Sequence, residues 1–204
     1  LLISLLTKQR RTLNFSKCVR NLEIMLRRKS KNIRVLRNPK TDSYLQLKDQ
    51  VLSMKFPWFY RSTNTSKGWG PYDNFGFYFH NMLVRPIPID PYPRQNSDYL
   101  DLTVHVIKEI FDFNNIKFET FLRICVNAVH PTQSRSLSVP HKDHDNLPHK
   151  NLLVYLTDCD GGETRVEGDE FFAKEDDIIT WDSQNHNYRP PSTQRRIVLV
   201  ATYL

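Results

Sequence analysis

The chain has 204 residues, of which 25% are charged and 39% hydrophobic, a composition typical of one globular domain. No apolar run approaches the roughly 20 residues of a membrane-spanning helix, and the opening LLISLL precedes its charges, so we do not expect it to be a secretory signal. Three widely spaced cysteines (Cys18, Cys125 and Cys159) exclude a disulfide framework or a zinc knuckle. We therefore expect a reducing, cytoplasmic compartment.

The net charge of +7 is concentrated at the N-terminus. Residues 1–40 hold twelve of the 29 basic residues and one of the 22 acidic ones, so residues 41–204 carry a net charge of −4. A basic arm of this kind could contact nucleic acid or another anionic surface. The alternative, which we favour, is a solvated basic helix that packs through apolar residues at helical spacing (Phe15, Val19, Leu22 and Leu26).

Two helices and one strand are predicted between residues 41 and 120. The first helix is capped within 41–43 and ends near Lys55, because Pro57 follows. Alternating phenylalanines predict a strand over 75–84. The second helix is capped by Asn96 or Ser97, presents an apolar stripe and ends at 114–115. Loops are predicted at 61–74 and in the four-proline segment 85–95.

From about residue 120 the pattern changes to short strands rich in β-branched and aromatic residues, separated by turns. The predicted strands cover 121–129, 151–157, 163–167, 177–181 and 196–204. Consecutive short strands without helices between them favour an antiparallel sandwich or barrel. The predicted class is therefore α+β, with helices first and a compact β-domain that carries the segment PHKDHD, residues 140–145.

This segment contains two histidines and two aspartates in six residues. In an extended chain, His141, Asp143 and Asp145 share one face, and Lys142, His144 and Asn146 share the other. Only the first face places an imidazole beside a carboxylate, so the pattern selects His141 and Asp143. A 2-His-1-carboxylate Fe(II) site needs a second histidine. Among the others, His186 follows a predicted strand and lies ten residues before Arg196, where a barrel would return a later strand to the first.

Four short motifs occur in order: HKD (141–143), GGET (161–164), ITWDSQNH (179–186) and RRIVLV (195–200). In their order and spacing they resemble the double-stranded β-helix (jelly-roll, cupin-like) dioxygenases that use Fe(II) and 2-oxoglutarate. The resemblance is greatest to the prolyl 4-hydroxylase-like branch, including its small bacterial and phage members. It covers about 120–204 well, is weaker over 40–120, and does not include the arm. It implies an oxygenase domain over 41–204 with its core barrel at about 120–204.

The resemblance also implies the site. His141, Asp143 and His186 would be the Fe(II) ligands and the catalytic residues. Arg196, or else its neighbour Arg195, would bind the far carboxylate of 2-oxoglutarate; alignment of the last strand with the family favours Arg196. The hydroxyl of Tyr155 would contact the same carboxylate, and Asn127 would lie near the co-substrate. Thr164 is a further candidate for the pocket lining.

The implied activity is hydroxylation coupled to oxidative decarboxylation of 2-oxoglutarate to succinate and CO₂, with O₂ consumed and ascorbate as a supporting reductant. The implied substrate is a prolyl residue in a peptide or protein, or a free amino acid. The enzyme itself would be bacterial or virus-encoded. One alternative is a dioxygenase acting on nucleic acid, reached through the arm. Thr202 stands where that family has a second arginine, and the main domain is acidic. Another alternative is a non-catalytic barrel that serves as a binding or structural module.

Overall fold

The computed structural model describes residues 30–63, 72, 75–134 and 136–204. The chain divides into two compact units, Leu1–Lys31 and Asn32–Leu204. The predicted helix of the basic arm lies outside the described residues. The second unit is mostly β-sheet with two helices among its described residues, as the sequence led us to expect.

Two antiparallel sheets make up the second unit. The larger sheet has eight strands, in the order β1 (Arg34–Leu36), β9 (Ile178–Asp182), β6 (Lys150–Tyr155), β11 (Arg196–Tyr203), β5 (Phe121–Val129), β3 (Phe77–Val84) and β2 (Phe59–Arg61), while β4 (Arg94–Gln95) also pairs with β3. The smaller sheet has the order β10 (His186–Tyr188), β7 (Thr164–Val166) and β8 (Asp169–Phe171). This arrangement is consistent with a β-sandwich of the jelly-roll type.

The two helices, α1 (Asp42–Leu52) and α2 (Leu100–Phe113), pack against each other. Helix α1 begins where the sequence predicted, because the hydroxyl of Thr41 accepts a hydrogen bond from the Tyr44 amide. Helix α2 begins later than predicted: Ser97 Oγ accepts from the amide of Tyr99, and regular helix follows. Its buried stripe includes Val106, Ile107, Ile110 and Phe111. This stripe joins the larger of two hydrophobic clusters.

Strand β11 separates the two clusters, because alternate residues of a strand point to opposite faces. Ile197 and Leu199 belong to the cluster that contains the helices. Val198 and Val200 belong to a second cluster, which also contains residues of the smaller sheet such as Val166 and Phe171. The face of the large sheet that bears Val198 and Val200 is therefore the one that meets the smaller sheet, and it carries the candidate site.

Some elements differ from the sequence prediction. Strand β1 was not predicted; it pairs with β9, and Leu36 on it and Ile33 just before it are buried. Strands β2, β4, β8 and β10 were not predicted, because two or three residues carry no usable periodicity and their pairing partners define them. No described helix is long and apolar enough to cross a membrane. Cys125 and Cys159 are buried free thiols.

Candidate metal centre

A two-way backbone bridge brings the predicted metal ligands together. The amide of His141 donates to the carbonyl of His186 at 3.0 Å, and the amide of His186 donates to the carbonyl of His141 at the same distance. The two imidazole centroids lie 4.6 Å apart. Asp143 Oδ2 lies 3.5 Å from His186 Nε2, and one ligand atom from each of the three residues falls within 4.8 Å of the other two. The structure thus assembles the His-Asp-His set predicted from sequence.

Backbone carbonyls fix the tautomers of both histidines. His141 Nδ1 lies 3.1 Å from the carbonyl of Val139, and His186 Nδ1 lies 3.2 Å from that of Gln184. Because a carbonyl oxygen only accepts, Nδ1 of each ring carries the hydrogen and Nε2 keeps its lone pair. Burial lowers the pKa of His186 to about 4, so this ring is neutral at pH 7. Both rings therefore present a free Nε2 suited to a metal ion.

The third ligand, Asp143, is a buried carboxylate held by basic side chains. Arg123 Nη1 donates to Oδ1 at 2.9 Å, and Arg85 reaches both Oδ1, at 3.5 Å, and the Asp143 carbonyl. Burial alone would raise the pKa of Asp143, but nearby His186, Arg123 and Arg85 hold it well below its usual range. The carboxylate is therefore ionised, with Oδ1 occupied by arginines and Oδ2 facing His186.

Asn151 completes the surroundings of this carboxylate. With its amide nitrogen turned towards Asp143, Nδ2 donates to Oδ2 at 2.8 Å and Oδ1 accepts from Trp181 Nε1 at 3.1 Å. The indole of Trp181 also packs edge-on against His186, with centroids 5.1 Å apart. One aspartate thus receives three donor side chains, which fixes its orientation before any ligand binds.

The extended conformation predicted for 140–145 ends at Asp143. His141 forms the bridge to His186, but no strand follows. His144 is buried, and its Nε2 lies 2.8 Å from Thr202 Oγ1, while Asp145 is exposed. Asp145 still lines the same cavity as His141 and Asp143, although the chain bends at Asp143.

The three ligands line a cavity of about 920 Å³. Arg196 lines it too and is 4% exposed, whereas Arg195 is exposed on the surface. Arg196 Nε donates to the Gly162 carbonyl at 3.0 Å and Nη2 to Thr164 Oγ1 at 2.8 Å. Among the described residues no carboxylate pairs with this guanidinium, so Arg196 is a buried cation without a counter-charge.

The other predicted co-substrate residues occupy different positions. Asn127 and Thr164 line the cavity. Tyr155 is fully buried outside the lining; its hydroxyl lies 2.7 Å from Thr164 Oγ1, and its ring lies 5.3 Å from the Arg196 guanidinium. The hydroxyl of Tyr155 thus lies beside Thr164 and the predicted anchor Arg196, and its contact with the co-substrate stays a prediction.

Gly162 leaves space for the side chain of Arg196. It has a φ of +70°, and a Cβ at this position would lie 2.9 Å from Cys159 Sγ and 3.2 Å from Arg196 Cδ. Glycine adopts this conformation without steric cost and leaves space for the arginine side chain. Gly162 of the GGET motif therefore also shapes the anchor.

Sequence reasoning missed the residues that support Asp143, namely Arg85, Arg123 and Asn151. One signal was available: Arg123 is a charged residue inside the otherwise apolar strand FLRICVNAV, and a buried charge needs a partner. Arg85 and Asn151 offered no comparable signal, because only the strand register brings them to Asp143.

Comparison with known proteins finds solved structures of similar fold, but no match to a family model or to a curated protein. A 2OG-Fe(II) oxygenase family oxidoreductase from Burkholderia pseudomallei superposes with a TM-score of 0.63, at 16% identity and over 84% of each chain. The chain has the fold of the 2OG-Fe(II) oxygenases.

Two further solved structures with this fold are of proteins named for reactions that differ from each other. A prolyl hydroxylase from Trichoplax adhaerens, solved with a hypoxia inducible factor peptide fragment, matches with a TM-score of 0.55 at 12% identity, over 94% of this chain and 93% of that one. SnoN, a non-heme alpha-ketoglutarate-dependent epimerase of nogalamycin biosynthesis, matches with a TM-score of 0.54 at 14% identity, over 85% and 77%. At these identities the similarity concerns the fold, and activity has to be argued from the site.

Proposed function

We propose that the protein is an Fe(II)- and 2-oxoglutarate-dependent dioxygenase that hydroxylates its substrate. One observation carries the proposal: a single cavity contains both a His-Asp-His ligand set and a buried arginine without a counter-charge. A cluster of metal-binding side chains alone, or a buried arginine alone, would be compatible with many activities. Together they match the two requirements of this chemistry, a metal with open positions and an anchor for a dicarboxylate.

The residues present fit Fe(II). His141 and His186 offer Nε2 atoms, because their Nδ1 atoms face backbone carbonyls, and Asp143 offers Oδ2, since its Oδ1 is engaged by arginine. Two imidazoles and one carboxylate are the donor set of non-haem Fe(II) oxygenases, which leaves positions for other ligands. Bound there with 2-oxoglutarate, Fe(II) would supply the activation of O₂ and the oxidative decarboxylation that drive hydroxylation.

The anchor fits the far carboxylate of 2-oxoglutarate. Of the five N–H donors of Arg196, one is committed to the Gly162 carbonyl and one to Thr164. The remaining donors can form a bidentate pair with a carboxylate, the geometry for which arginine is suited. The co-substrate would lie between Arg196 and the metal, with Asn127 beside it on the central strand β5. This placement also leads us to infer that the two sheets form a double-stranded β-helix.

The chain itself positions and shields the reactants. Arg123, Arg85 and Asn151 hold Asp143 in place, and backbone carbonyls hold the rings of the two histidines. The apolar residues Leu153, Val198 and Val200 line the cavity and limit access of water to it. The resemblance of the sequence to prolyl 4-hydroxylases makes a prolyl residue or a free amino acid the substrate to test first.

The test is succinate formation from 2-oxoglutarate by purified protein with Fe(II) and ascorbate, with metal content measured in parallel. We expect iron-dependent succinate in the wild type, and its loss in His186→Ala and Arg196→Ala but not in Arg195→Ala. His186→Ala should also lose bound iron. If the wild type binds neither Fe(II) nor 2-oxoglutarate under anaerobic conditions, the proposal is wrong and a non-catalytic binding module becomes the better hypothesis.

A further inference from the structure

The cavity is much more basic than the domain that contains it. Five basic residues line it (Arg61, Arg85, Arg123, Lys142 and Arg196), against two acidic ones, Asp143 and Asp145. Residues 41–204 as a whole hold 17 basic and 21 acidic residues. A domain with a net charge of −4 thus surrounds a cavity with a net charge of +3. Such a local excess of one sign attracts ligands of the opposite sign.

The proposed catalytic apparatus does not account for all of this charge. Arg123 and Arg85 pair with Asp143, and Arg196 is assigned to 2-oxoglutarate. Fe(II) and the 2-oxoglutarate dianion cancel each other, so loading the site leaves the excess unchanged. Arg61 and Lys142 remain, and neither has a carboxylate partner among the described residues.

Arg61 lies on a wall of the cavity that has an apolar face and a polar end. The register of β2 against β3 places Arg61 opposite Phe77, and its guanidinium lies 5.5 Å from the Phe79 ring centroid. Phe77 and Asn81 lie on the same face of β3, since they are four residues apart, and both line the cavity. The buried Oδ1 of Asn81 has no hydrogen-bond partner within the described part of the chain. Aromatic surface, an unpaired amide and a cation are therefore close together.

We propose that the primary substrate is a small molecule with an anionic group, bound by Arg61 and Lys142 against the β2–β3 wall. This inference rests on the proposed function and narrows its substrate. An internal prolyl residue is uncharged and would leave both cations unpaired, whereas a free amino acid presents a carboxylate. The cavity volume of about 920 Å³ is within the range of small-molecule sites, which agrees with a co-substrate and a compact substrate held together.

The experiment measures anion binding to the loaded site without turnover. Protein is saturated with Co(II) and 2-oxoglutarate under anaerobic conditions, and both are first confirmed to bind in every variant. Acetate and inorganic phosphate are then titrated separately by calorimetry at low ionic strength, where surface charges are least screened. The variants are Arg61→Gln and Lys142→Gln. Arg34→Gln is the matched control, because Arg34 also lies on an edge strand, at the opposite edge of the same sheet.

We expect saturable binding of at least one anion, weakened at least tenfold by Arg61→Gln or Lys142→Gln and unchanged by Arg34→Gln. Tighter acetate would assign a carboxylic acid, and tighter phosphate a phosphate ester. The inference is overturned if neither anion binds to protein that holds Co(II) and 2-oxoglutarate, or if both variants bind the anion as the control does. Failure of Co(II) or 2-oxoglutarate to bind would instead overturn the proposed function, and the inference with it.

Discussion

Replacement of Arg196 tests the anchor most directly. The residue is 4% exposed, and its guanidinium pairs with no carboxylate among the described residues, so 2-oxoglutarate would supply the missing counter-charge. Each hydrogen bond to a charged group is worth about 1.5–3 kcal/mol. Loss of a bidentate pair in Arg196→Met then costs about 3–5 kcal/mol, which corresponds to weaker 2-oxoglutarate binding by about 10²–10³-fold or more. Arg196→Lys keeps the charge but loses the fork, so we expect a smaller loss of about 10–100-fold.

Thermal unfolding of the Co(II)-loaded protein under anaerobic conditions measures the affinity for 2-oxoglutarate without turnover. At 100 times Kd, 2-oxoglutarate stabilises the wild type by about 2.7 kcal/mol. For a chain of this length, that raises Tm by about 5–10 °C. In Arg196→Met the same concentration would be about equal to Kd or below it, so the shift should fall to about 1–2 °C or less, while Arg195→Met should retain the full shift. A shift in Arg196→Met within a few degrees of the wild-type value would refute the assignment and point to Arg61 or Arg85 as the anchor.

Three further predictions concern the supports of the site and of the fold. Replacement of Arg123 with Met should lower the free energy of unfolding by about 3 kcal/mol in urea titrations, because it leaves the buried Asp143 carboxylate with the partly exposed Arg85 as its only arginine partner; an unchanged midpoint would contradict this. Gly162→Ala should cost about 1–2 kcal/mol of stability and also weaken 2-oxoglutarate binding, since the added Cβ meets the anchor; an effect on stability alone would show that the turn does not position the arginine. The pKa of Asp176 is lowered to about 2: burial opposes the shift, but hydrogen bonds from Lys40 and Lys48 outweigh it. Because the carboxyl pKa of Asp176 is lower in the folded than in the unfolded state, its charged form stabilises the fold at pH values above the unfolded-state pKa. About 1 kcal/mol of the free energy of unfolding should therefore be lost as the pH falls from about 4 to 2, and Asp176→Asn should abolish that pH dependence in acid-titration calorimetry.

The sequence was sufficient for the metal ligands but not for their supports. HKD and the histidine after a strand form a local pattern, and the chemistry of the donors restricts which residues can serve. The partners of Asp143 come from β5, from the end of β3 and from β6, and only strand register brings them together. Register depends on long-range pairing, which a single sequence does not encode in its periodicity. For the same reason the hydrogen bond between Tyr155 and Thr164 was not predicted, although the strand that holds Tyr155 was.

Different parts of the site lie on the central strands and on the edge of the large sheet, and this separation bears on substrate specificity. Anchor and metal supports lie on β5, β6 and β11, strands that are paired on both sides and therefore held rigidly. The wall with Arg61 is formed by β2, a three-residue edge strand, and by β3. Edge elements tolerate change in sequence and length better than central strands do. We therefore expect substitutions on β2 and β3 to change which substrate stimulates succinate formation, while substitutions on β5 and β11 should change whether any is formed.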